Sequence, residues 1–497
     1  MRLNPLAALM MGLTVSASVH AASPLSALSQ VGGNYFHATT GGFNAEIAAF
    51  DALTGTLWVS GVTGVDVLNI TPGGLTFNSR IDLSSYGAIN SISIHNGLAA
   101  FAIENTTNRE LPGIVQFYDT VTRSLTSGIN TVTVGPLPDM LVFSADGSKL
   151  LVANEGTPNI YGSATDPVGS VSIIDMNTRT VTHVSLGGAI PTSGSGLRSG
   201  IGMNYEPEYI AINQAGTQAW ITLQEHNAIA TLDLTTNQFT GITGLGLKDY
   251  SLPGNAIDPS DSAPIELINV SLKGAYQPDT IVSYEVGGQT YLVMANEGDA
   301  REDDGDVGRA GTLFGTAAPL NRINVIKDLS SASDLVSMGG RSFSIRDVNG
   351  NIVFDSGNIL ESEAILRGIY DDRRSDDKGV EPEGLALQTI AGRTFAFIGL
   401  ERTSKGAVAV FDITDPANAS FVDMIVTDGT NRPEGIVTFV KDGMIYLAIS
   451  NEGLGNAAAT GMSTSLYSLA PVPEAETYAM MLAGLGLVGW AARRRKQ

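Results

Sequence analysis

The sequence contains no cysteine, few histidines and little positive charge. Its 497 residues include five histidines, and 28 Lys and Arg residues face 50 Asp and Glu residues, for a formal charge of −22. The lack of cysteine excludes disulfides, thiol catalysis, iron–sulfur clusters and cysteine zinc sites. The negative charge argues against nucleic acid as a partner. Because 43% of the residues are hydrophobic, the acidity does not indicate disorder.

Helix-length periodic segments are also scarce between the two ends of the chain. Short runs of alternating apolar and polar residues recur instead, each closed by Gly, Asn or Asp. This alternation is typical of strands and turns. We therefore expect an all-β fold.

The N-terminal segment has the composition of an export signal. Residues 1–21 contain one positive residue, Arg2, an apolar stretch over residues 6–19 and a small-residue site that ends at Ala21. This order predicts a secretory signal peptide that is cleaved after Ala21. A buried N-terminal helix is the alternative.

The C-terminal segment, residues 471–497, combines a short motif, an uncharged stretch and a basic end. The uncharged stretch covers residues 477–492, fewer than the ~20 residues that span a bilayer comfortably, and the basic end predicts that the body lies outside the cytoplasm. The short motif consists of Val472, Pro473 and Glu474, and the basic end contains Arg493, Arg494 and Arg495.

This tail resembles the PEP-CTERM sorting signal of Gram-negative bacteria, with Ala475 where the motif has its second proline. The resemblance implies recognition by an exosortase-type processing enzyme. It also implies a hydrophobic helix held transiently in the inner membrane, followed by delivery to the cell surface or extracellular matrix. A permanent membrane anchor is the alternative. Five basic residues lie in the two terminal segments, so the body between them, residues 22–470, is more acidic than the whole chain.

One composite unit recurs through this body. A proline and an acidic residue precede an alternating strand, a turn and a second strand that ends in Glu. The prolines of the five clear copies are Pro138, Pro207, Pro278, Pro382 and Pro433, and the later Glu follows after 17, 18, 19, 19 and 19 positions. Two weaker copies precede them, one at Glu46 and one that leads to Glu104. Seven such units predict a seven-bladed β-propeller with inserted loops.

The repeat also predicts where its acidic residues lie. In an antiparallel blade the start of the first strand and the end of the second strand lie on the same face. Both acids of each unit should therefore converge near one mouth of the central channel. The acidic-face candidates are Asp139, Glu155, Glu208, Glu225, Asp279, Glu297, Glu383, Glu401, Glu434 and Glu452.

Two acidic loops leave from the same face and suggest a metal site. Carboxylates are hard oxygen ligands that suit Ca²⁺ or Mg²⁺, and Ca²⁺ is the cofactor candidate. The candidate ligands are Glu297, Asp299, Glu302, Asp303, Asp304, Asp306, Asp376 and Asp377. A salt-bridge lattice and the capping of turns by Asp, Asn and Glu are two further interpretations. The lattice would use Arg301, Arg309, Arg373, Arg374, Arg402 and Arg432.

Known catalytic motifs do not match the sequence. The four histidines outside the signal peptide, His37, His95, His183 and His226, lie in four different units and show no zinc-binding spacing. No nucleophile elbow or P-loop occurs. Catalytic residues are therefore not predicted, and whether the chain is an enzyme stays open.

The body resembles the choice-of-anchor I family of secreted bacterial proteins. This family is related to the mesenchyme-specific cell-surface glycoprotein group and is sometimes called alkaline-phosphatase-like. The segments that carry the resemblance are residues 248–261, 276–302, 341–357, 371–384 and 395–423. The resemblance implies a seven-bladed propeller joined to a surface-anchoring tail, and it supplies no agreed catalytic residues.

Two functions follow as hypotheses. The first is a surface-sorted propeller that binds a ligand or an extracellular matrix component, such as exopolysaccharide, through its acidic face with help from Ca²⁺. The alternative is an extracellular metal-dependent hydrolase of the phosphatase or phytase type, in which the acidic face holds catalytic metals.

Overall fold

The computed structural model describes residues 25, 28–37, 45–161, 163, 165–198, 204–301, 305–453 and 462–469. The predicted signal peptide and the predicted C-terminal helix lie outside these residues. None of the helices among the described residues combines the length and apolarity that crossing a bilayer requires.

The described residues form seven consecutive sheets, here called blades 1 to 7. One strand of each blade contacts its counterparts in the two neighbouring blades, and these strands form a closed ring. Two short N-terminal strands come first, β1 (Leu28–Gln30) and β2 (Tyr35–Phe36). Blade 1 contains β3 (Ala48–Asp51), β4 (Thr56–Gly61), β5 (Gly64–Thr71) and β6 (Gly74–Asp82). Blade 2 contains β7 (Ile89–His95), β8 (Leu98–Ile103), β9 (Pro112–Asp119), β10 (Ser124–Leu125) and β11 (Thr131–Pro136). Blade 3 contains β12 (Pro138–Phe143), β13 (Lys149–Asn154), β14 (Ser170–Asp175) and β15 (Val181–Ser185).

The second half of the ring carries the insertions. Blade 4 contains β16 (Thr192–Ser195), β17 (Ile210–Ile212), β18 (Gln218–Leu223), β19 (Ala228–Asp233) and β20 (Gln238–Leu245), and is followed by β21 (Leu247–Asp249) and β22 (Lys273–Ala275). Blade 5 begins with β23 (Ile281–Val286) and β24 (Gln289–Asn296). The insertion then adds β25 (Val307–Arg309), α1 (Ala310–Phe314), β26 (Asn324–Ile326) and β27 (Val336–Ser337). Blade 5 ends with β28 (Ser342–Asp347) and β29 (Ile352–Asp355), which α2 (Ile359–Leu366) follows.

Blade 6 contains β30 (Pro382–Ile390), β31 (Arg393–Leu400), β32 (Gly406–Asp412) and β33 (Ser420–Thr427). Blade 7 contains β34 (Pro433–Lys441), β35 (Met444–Asn451) and β36 (Ser463–Leu469). Short 3₁₀ helices cover Asp372–Arg374 and Pro416–Asn418. The blades are antiparallel except that β16 pairs in parallel with β20. The strands that form the closed ring are β3, β7, β12, β17, β23, β30 and β34. The strands β21, β22, β27, β26 and β25 form an accessory sheet, in that order, beside the ring. This architecture confirms the predicted all-β propeller class.

The N-terminal strands close the ring without a covalent bond. β1 pairs with β36 in antiparallel register, Leu28 opposite Leu469, and β2 pairs with the other end of the same strand. His37 reinforces the closure, since its Nδ1 lies 2.8 Å from Asp66 Oδ2 and its Nε2 lies 2.8 Å from Thr464 Oγ1. The last blade therefore takes its outer strand from the N-terminal segment.

The hydrophobic core is divided among the interfaces between neighbouring blades. One apolar cluster lies between each pair of consecutive blades in the described ring. Trp58 packs on Phe101 between blades 1 and 2, and Phe343 packs on Phe411 between blades 5 and 6. The second strands of the blades are buried along most of their length and are mostly apolar, as in Leu98–Ile103 and Lys149–Asn154. The polar residues at their ends are left to line the mouth of the channel.

Candidate metal site

The ring-forming strand of each blade carries one polar side chain to the channel mouth, either as its second residue or two residues before its start. Six of these are carboxylates and the seventh is an amide; they are Glu46, Asn90, Asp139, Glu208, Asp279, Glu383 and Glu434. All seven line one cavity of about 490 Å³. Here they are called the inner ring.

A repeated backbone feature turns these side chains into the mouth. The residue before the repeat proline has a positive φ in four blades, at Leu137, Gln277, Glu381 and Arg432. For residues with a Cβ this conformation costs of order 1 to 3 kcal/mol and is often found at functional sites. The strand register also shifts just after the proline in blades 3, 6 and 7. The acid that follows the proline is thereby taken out of the regular ladder.

The second strand places another Glu beside this ring. In blades 3, 5 and 7 this Glu follows a buried asparagine that is bound to serines of the third strand. Asn154, for example, donates from Nδ2 to Ser172 Oγ at 2.9 Å and accepts the N–H of Gly135 at 3.0 Å. Each asparagine fixes the end of its strand, so the carboxylate that follows projects at the rim. The residues at these strand ends are Glu104, Glu155, Glu225, Glu297, Glu401 and Glu452.

Eight of the ten acidic-face candidates line the cavity of the inner ring: Asp139, Glu208, Asp279, Glu297, Glu383, Glu401, Glu434 and Glu452. Glu155 lines an adjoining cavity together with Asp139. Glu225 lies behind the wall with 6% of its surface exposed. Ten carboxylates and only two cationic side chains, Lys378 and Arg402, line the main cavity among the described residues.

Three triads of carboxylates are close enough to share one ion. In each triad one oxygen per residue lies within 4.8 Å of the others: Asp139, Glu155 and Glu208; Asp279, Glu297 and Glu383; and Glu297, Glu381 and Glu401. The first two triads repeat one arrangement, in which a second-strand Glu lies between the inner-ring acid of its own blade and that of the next blade. The propeller repeat therefore generates the triads.

Burial and mutual repulsion raise the pKa values of these acids. Burial is the largest cause in each case, and the neighbouring carboxylates raise the pKa further. The pKa of Asp139 rises to about 6 and that of Glu401 to about 8. The pKa values of Glu155 and Glu208 are raised well above the ordinary range. Charge on these groups therefore requires a cation nearby.

Cationic side chains neutralise one side of the mouth. Lys378 Nζ lies 2.7 Å from Glu297 Oε1 and 3.0 Å from Glu381 Oε2. Arg374 donates from Nε to Glu381 Oε1 at 2.7 Å, and Arg402 Nη2 lies 3.0 Å from Glu401 Oε1. We call the triad of Glu297, Glu381 and Glu401 the paired triad.

The opposite side has no such pairs. Within the part of the chain that the structure describes, Asp139, Glu155 and Glu208 form no salt bridge, although Arg109 lowers the pKa of Asp139 and of Glu155 through space. Behind them the Oε2 atom of buried Glu225 has no hydrogen-bond partner. The hydroxyl of Thr157 donates to Glu155. We call the triad of Asp139, Glu155 and Glu208 the unpaired triad.

Most predicted metal ligands from the acidic loops lie elsewhere. Asp299 is at the rim, 3.7 Å from Lys378 Nζ. Asp306 is bound to Arg198, Asp376 lies 2.6 Å from Arg309 Nη1, and Asp377 lies 2.9 Å from Arg374 Nη2. Glu302, Asp303 and Asp304 lie outside the described residues. Among the described candidates, Asp306, Asp376 and Asp377 are therefore paired with arginines, Asp299 lies beside Lys378, and only Glu297 belongs to a triad.

Sequence reasoning missed several residues of the site. Glu46 had a signal, because it opens the weaker first copy of the repeat. Glu381 directly precedes the repeat proline Pro382, whereas the acid of the repeat unit follows the proline, so the repeat gives no signal for Glu381. Lys378 lies in a loop outside the repeat, and nothing in the sequence pattern singles it out.

Comparison with known proteins identifies both parts of the chain. The model of the choice-of-anchor I domain matches residues 46–416, and that of the PEP-CTERM protein-sorting motif matches residues 471–496. The motif implies recognition by an exosortase and indicates export to the surface or exterior of a Gram-negative bacterium. The residues of the motif, Val472, Pro473, Glu474, Arg493, Arg494 and Arg495, lie outside the described structure.

No curated protein matches the sequence. Among solved structures, Kuenenia stuttgartiensis hydrazine synthase is 11% identical with a TM-score of 0.47, covering 82% of this chain and 93% of that one. The β-propeller domain of Myceliophteria thermophila Cps50 (Swd1) is 9% identical with a TM-score of 0.44, covering 88% of this chain and 100% of that one. The family match spans most of the ring, and the chain belongs to the choice-of-anchor I domain family, here joined to a surface-sorting signal.

Proposed function

We propose that the chain is a surface-delivered binding protein that holds Ca²⁺ at the unpaired triad and contacts an extracellular ligand through its acidic face. The observation that carries the proposal is the cavity of about 490 Å³, where ten carboxylates meet two cationic side chains. The two cationic side chains are committed to Glu297, Glu381 and Glu401. The other carboxylates of the cavity can then be neutralised by an ion from solution.

The spacing of the unpaired triad suits calcium. Ca²⁺ binds oxygen at about 2.3 to 2.6 Å, so two ligands on opposite sides of the ion lie about 4.6 to 5.2 Å apart. The oxygens of Asp139, Glu155 and Glu208 lie within 4.8 Å of one another. Mg²⁺ usually keeps several waters and takes only one or two carboxylates, so a set of three protein carboxylates favours Ca²⁺. The unpartnered Oε2 of Glu225 lies next to this triad and adds to its negative potential.

Titration calorimetry of the full chain with CaCl₂ tests this proposal. We expect saturable binding with micromolar affinity, weakened by at least about tenfold, or 1.4 kcal/mol, in Glu208→Gln. Glu285→Gln is the matched control, because Glu285 is an exposed residue at the far end of β23. Absence of saturable binding in the wild type, or equal binding in the two variants, would contradict the proposal.

The same protein tests the hydrolase alternative. Glu297 belongs to two triads, so that half of the mouth could bring two ions together if Lys378 were displaced. We expect no turnover of phosphomonoesters or phosphodiesters with added Ca²⁺. Turnover that is abolished by EDTA and by Glu297→Gln would replace binding with catalysis as the function.

A further inference from the structure

A second cavity, of about 460 Å³, adjoins the acidic one and has the opposite character. Glu401 and Arg402 line both cavities, so the two are continuous. Four arginines and two acids supply the charged lining of the second cavity: Arg373, Arg374, Arg402, Arg432, Asp371 and Glu401. The whole chain has 50 acidic and 28 basic residues, whereas in the lining of this cavity arginines outnumber acids. We call this cavity the arginine pocket.

Two of these arginines are committed to the protein itself. Arg373 donates to Asp371 from Nε at 2.9 Å and from Nη2 at 2.7 Å. Arg374 donates to Glu381 at 2.7 Å and pairs with Asp377 at 2.9 Å. Both therefore shape the wall of the pocket rather than offer free donors.

The other two arginines keep donors unused. Arg402 pairs through Nη2 with Glu401 at 3.0 Å and through Nε with Glu381 at 3.7 Å, and its Nη1 has no hydrogen bond among the described residues. Arg432 forms no hydrogen bond among the described side chains, and its nearest acid, Glu452, is 3.7 Å from Nη1. A guanidinium carries five N–H donors in a planar fork that matches a carboxylate. Unused forks at a cavity wall are a ligand-binding feature.

The backbone at Arg432 has an unusual conformation, and hydrogen bonds hold the loop that contains it. The φ of Arg432 is 53°, a conformation that residues with a side chain rarely adopt. Its carbonyl accepts the N–H of Glu452 at 3.0 Å, and Asn431 Nδ2 donates to the carbonyl of Ser404 at 3.0 Å. The first bond connects the loop before β34 to the residue after β35, and the second connects the same loop to the loop after β31. The guanidinium of Arg432 is thus presented from a fixed position.

We propose that the arginine pocket binds the carboxylate of a hexuronate residue in an acidic polysaccharide. The guanidinium of Arg432 and the Nη1 group of Arg402 supply donors for one planar monoanion. Asp371 accepts hydrogen bonds from sugar hydroxyls, and its negative charge disfavours a phosphate dianion in the same place. Thr403 and Ser404 add hydroxyls to the lining. A volume of about 460 Å³ accommodates a sugar ring.

This inference does not depend on calcium, so it can fail or stand apart from the proposed function. Binding of an oligogalacturonate to the full chain is measured by calorimetry, once in EDTA and once in Ca²⁺. We expect binding in both buffers, and no binding of the same oligosaccharide after its carboxyl groups are reduced. Binding that requires Ca²⁺, or equal binding of the reduced oligosaccharide, would overturn the pocket assignment.

Variants locate the site. Arg432→Gln should weaken oligogalacturonate binding by at least about tenfold. Arg432→Lys should bind with an affinity between those of the wild type and Arg432→Gln, because lysine keeps the charge but lacks the planar fork of donors. Arg393→Gln is the matched control, since Arg393 pairs with Asp412 at the opposite end of β31. Melting temperature and Ca²⁺ titration show that each variant is folded. Unchanged binding in folded Arg432→Gln would overturn the proposal, and so would inorganic phosphate competing as strongly as galacturonate.

Discussion

The unpaired triad and the paired triad lie at the same mouth, yet their charge is balanced in different ways. Asp139, Glu155 and Glu208 form no salt bridge among the described residues, and burial raises their pKa values. On the other side, Lys378 contacts both Glu297 and Glu381 within 3.0 Å. The propeller repeat supplies the carboxylates on both sides, whereas Lys378 comes from a loop before blade 6 that is not part of the repeat.

The repeat places carboxylates on both sides of the mouth, and a loop outside the repeat adds the lysine that neutralises one side. Closing seven blades brings their strand ends together, and acidic residues at those ends repel one another. A buried lysine relieves the repulsion permanently on one side. On the other side an ion from solution can relieve it reversibly. The proposed function therefore assigns a structural role to the paired triad and a binding role to the unpaired one.

The largest expected effect is the loss of Lys378. Its side chain is 11% exposed and contacts three acids, Glu297, Glu381 and Asp299. Removing one partner of a buried ion pair leaves uncompensated charge and typically costs about 3 to 5 kcal/mol. We expect Lys378→Met to lower the free energy of unfolding by about 3 kcal/mol in EDTA, as measured by denaturant unfolding.

Lys273→Met is the control for this prediction. Lys273 pairs with Asp334 at 2.9 Å, but its side chain is 40% exposed, and exposed pairs contribute about 0 to 1 kcal/mol. Added Ca²⁺ should restore part of the stability of Lys378→Met, because the freed carboxylates can then bind an ion. Equal unfolding free energies for the two variants would mean that the paired triad is not held by Lys378.

The dependence of stability on pH tests the unpaired triad. Asp139 has a folded pKa of about 6, above the ordinary value of about 3.9. A carboxyl whose pKa is raised on folding binds more protons in the folded state, so its stability is present below the unfolded pKa and is lost as pH rises through the folded pKa. In EDTA we expect the unfolding free energy to fall by an order of 1 to 2 kcal/mol between about pH 5 and pH 8.

Calcium should oppose this trend, because it binds the deprotonated carboxylates. The gain in melting temperature on adding Ca²⁺ is therefore expected to grow with pH, and scanning calorimetry in both buffers measures it. A melting temperature in EDTA that rises from about pH 5 to pH 8 would show that the triad does not repel in the folded state.

The repeat made the general arrangement predictable, and the exceptions show its limits. The pair of Pro138 and Glu155 has counterparts in four later copies, 18 or 19 positions apart, so strand geometry alone indicates that such acids share a face. Lys378 has no counterpart in the other units, and its contact with Glu297 joins residues far apart in the sequence. Asp306 looked like the other acids, but a distant arginine, Arg198, binds it. A repeat pattern identifies residues by their spacing, so it does not predict an ion-pair partner that lies far away in the sequence.

The smallest expected effect comes from completing the inner ring. Asn90 occupies in blade 2 the position that Asp139 has in blade 3, and its Nδ2 donates to the carbonyl of Pro138 at 3.2 Å. Asn90→Asp would add a carboxylate beside the unpaired triad. Charges near a surface several ångströms apart interact by about 1 kcal/mol or less after screening, so we expect Ca²⁺ to bind about threefold more tightly and the metal-free protein to melt at a slightly lower temperature.

The turn residue Asn177 provides the matched control, because Asn177→Asp adds the same charge at the exposed end of β14, on the opposite face of the ring. If both variants tighten Ca²⁺ binding equally, net charge alone attracts the ion. If only Asn90→Asp does so, the ion lies at the unpaired triad. A tightening by Asn90→Asp that disappears in the Asn90→Asp, Glu208→Gln double variant would place the two side chains around one ion, since coupled effects of this kind arise between neighbouring groups.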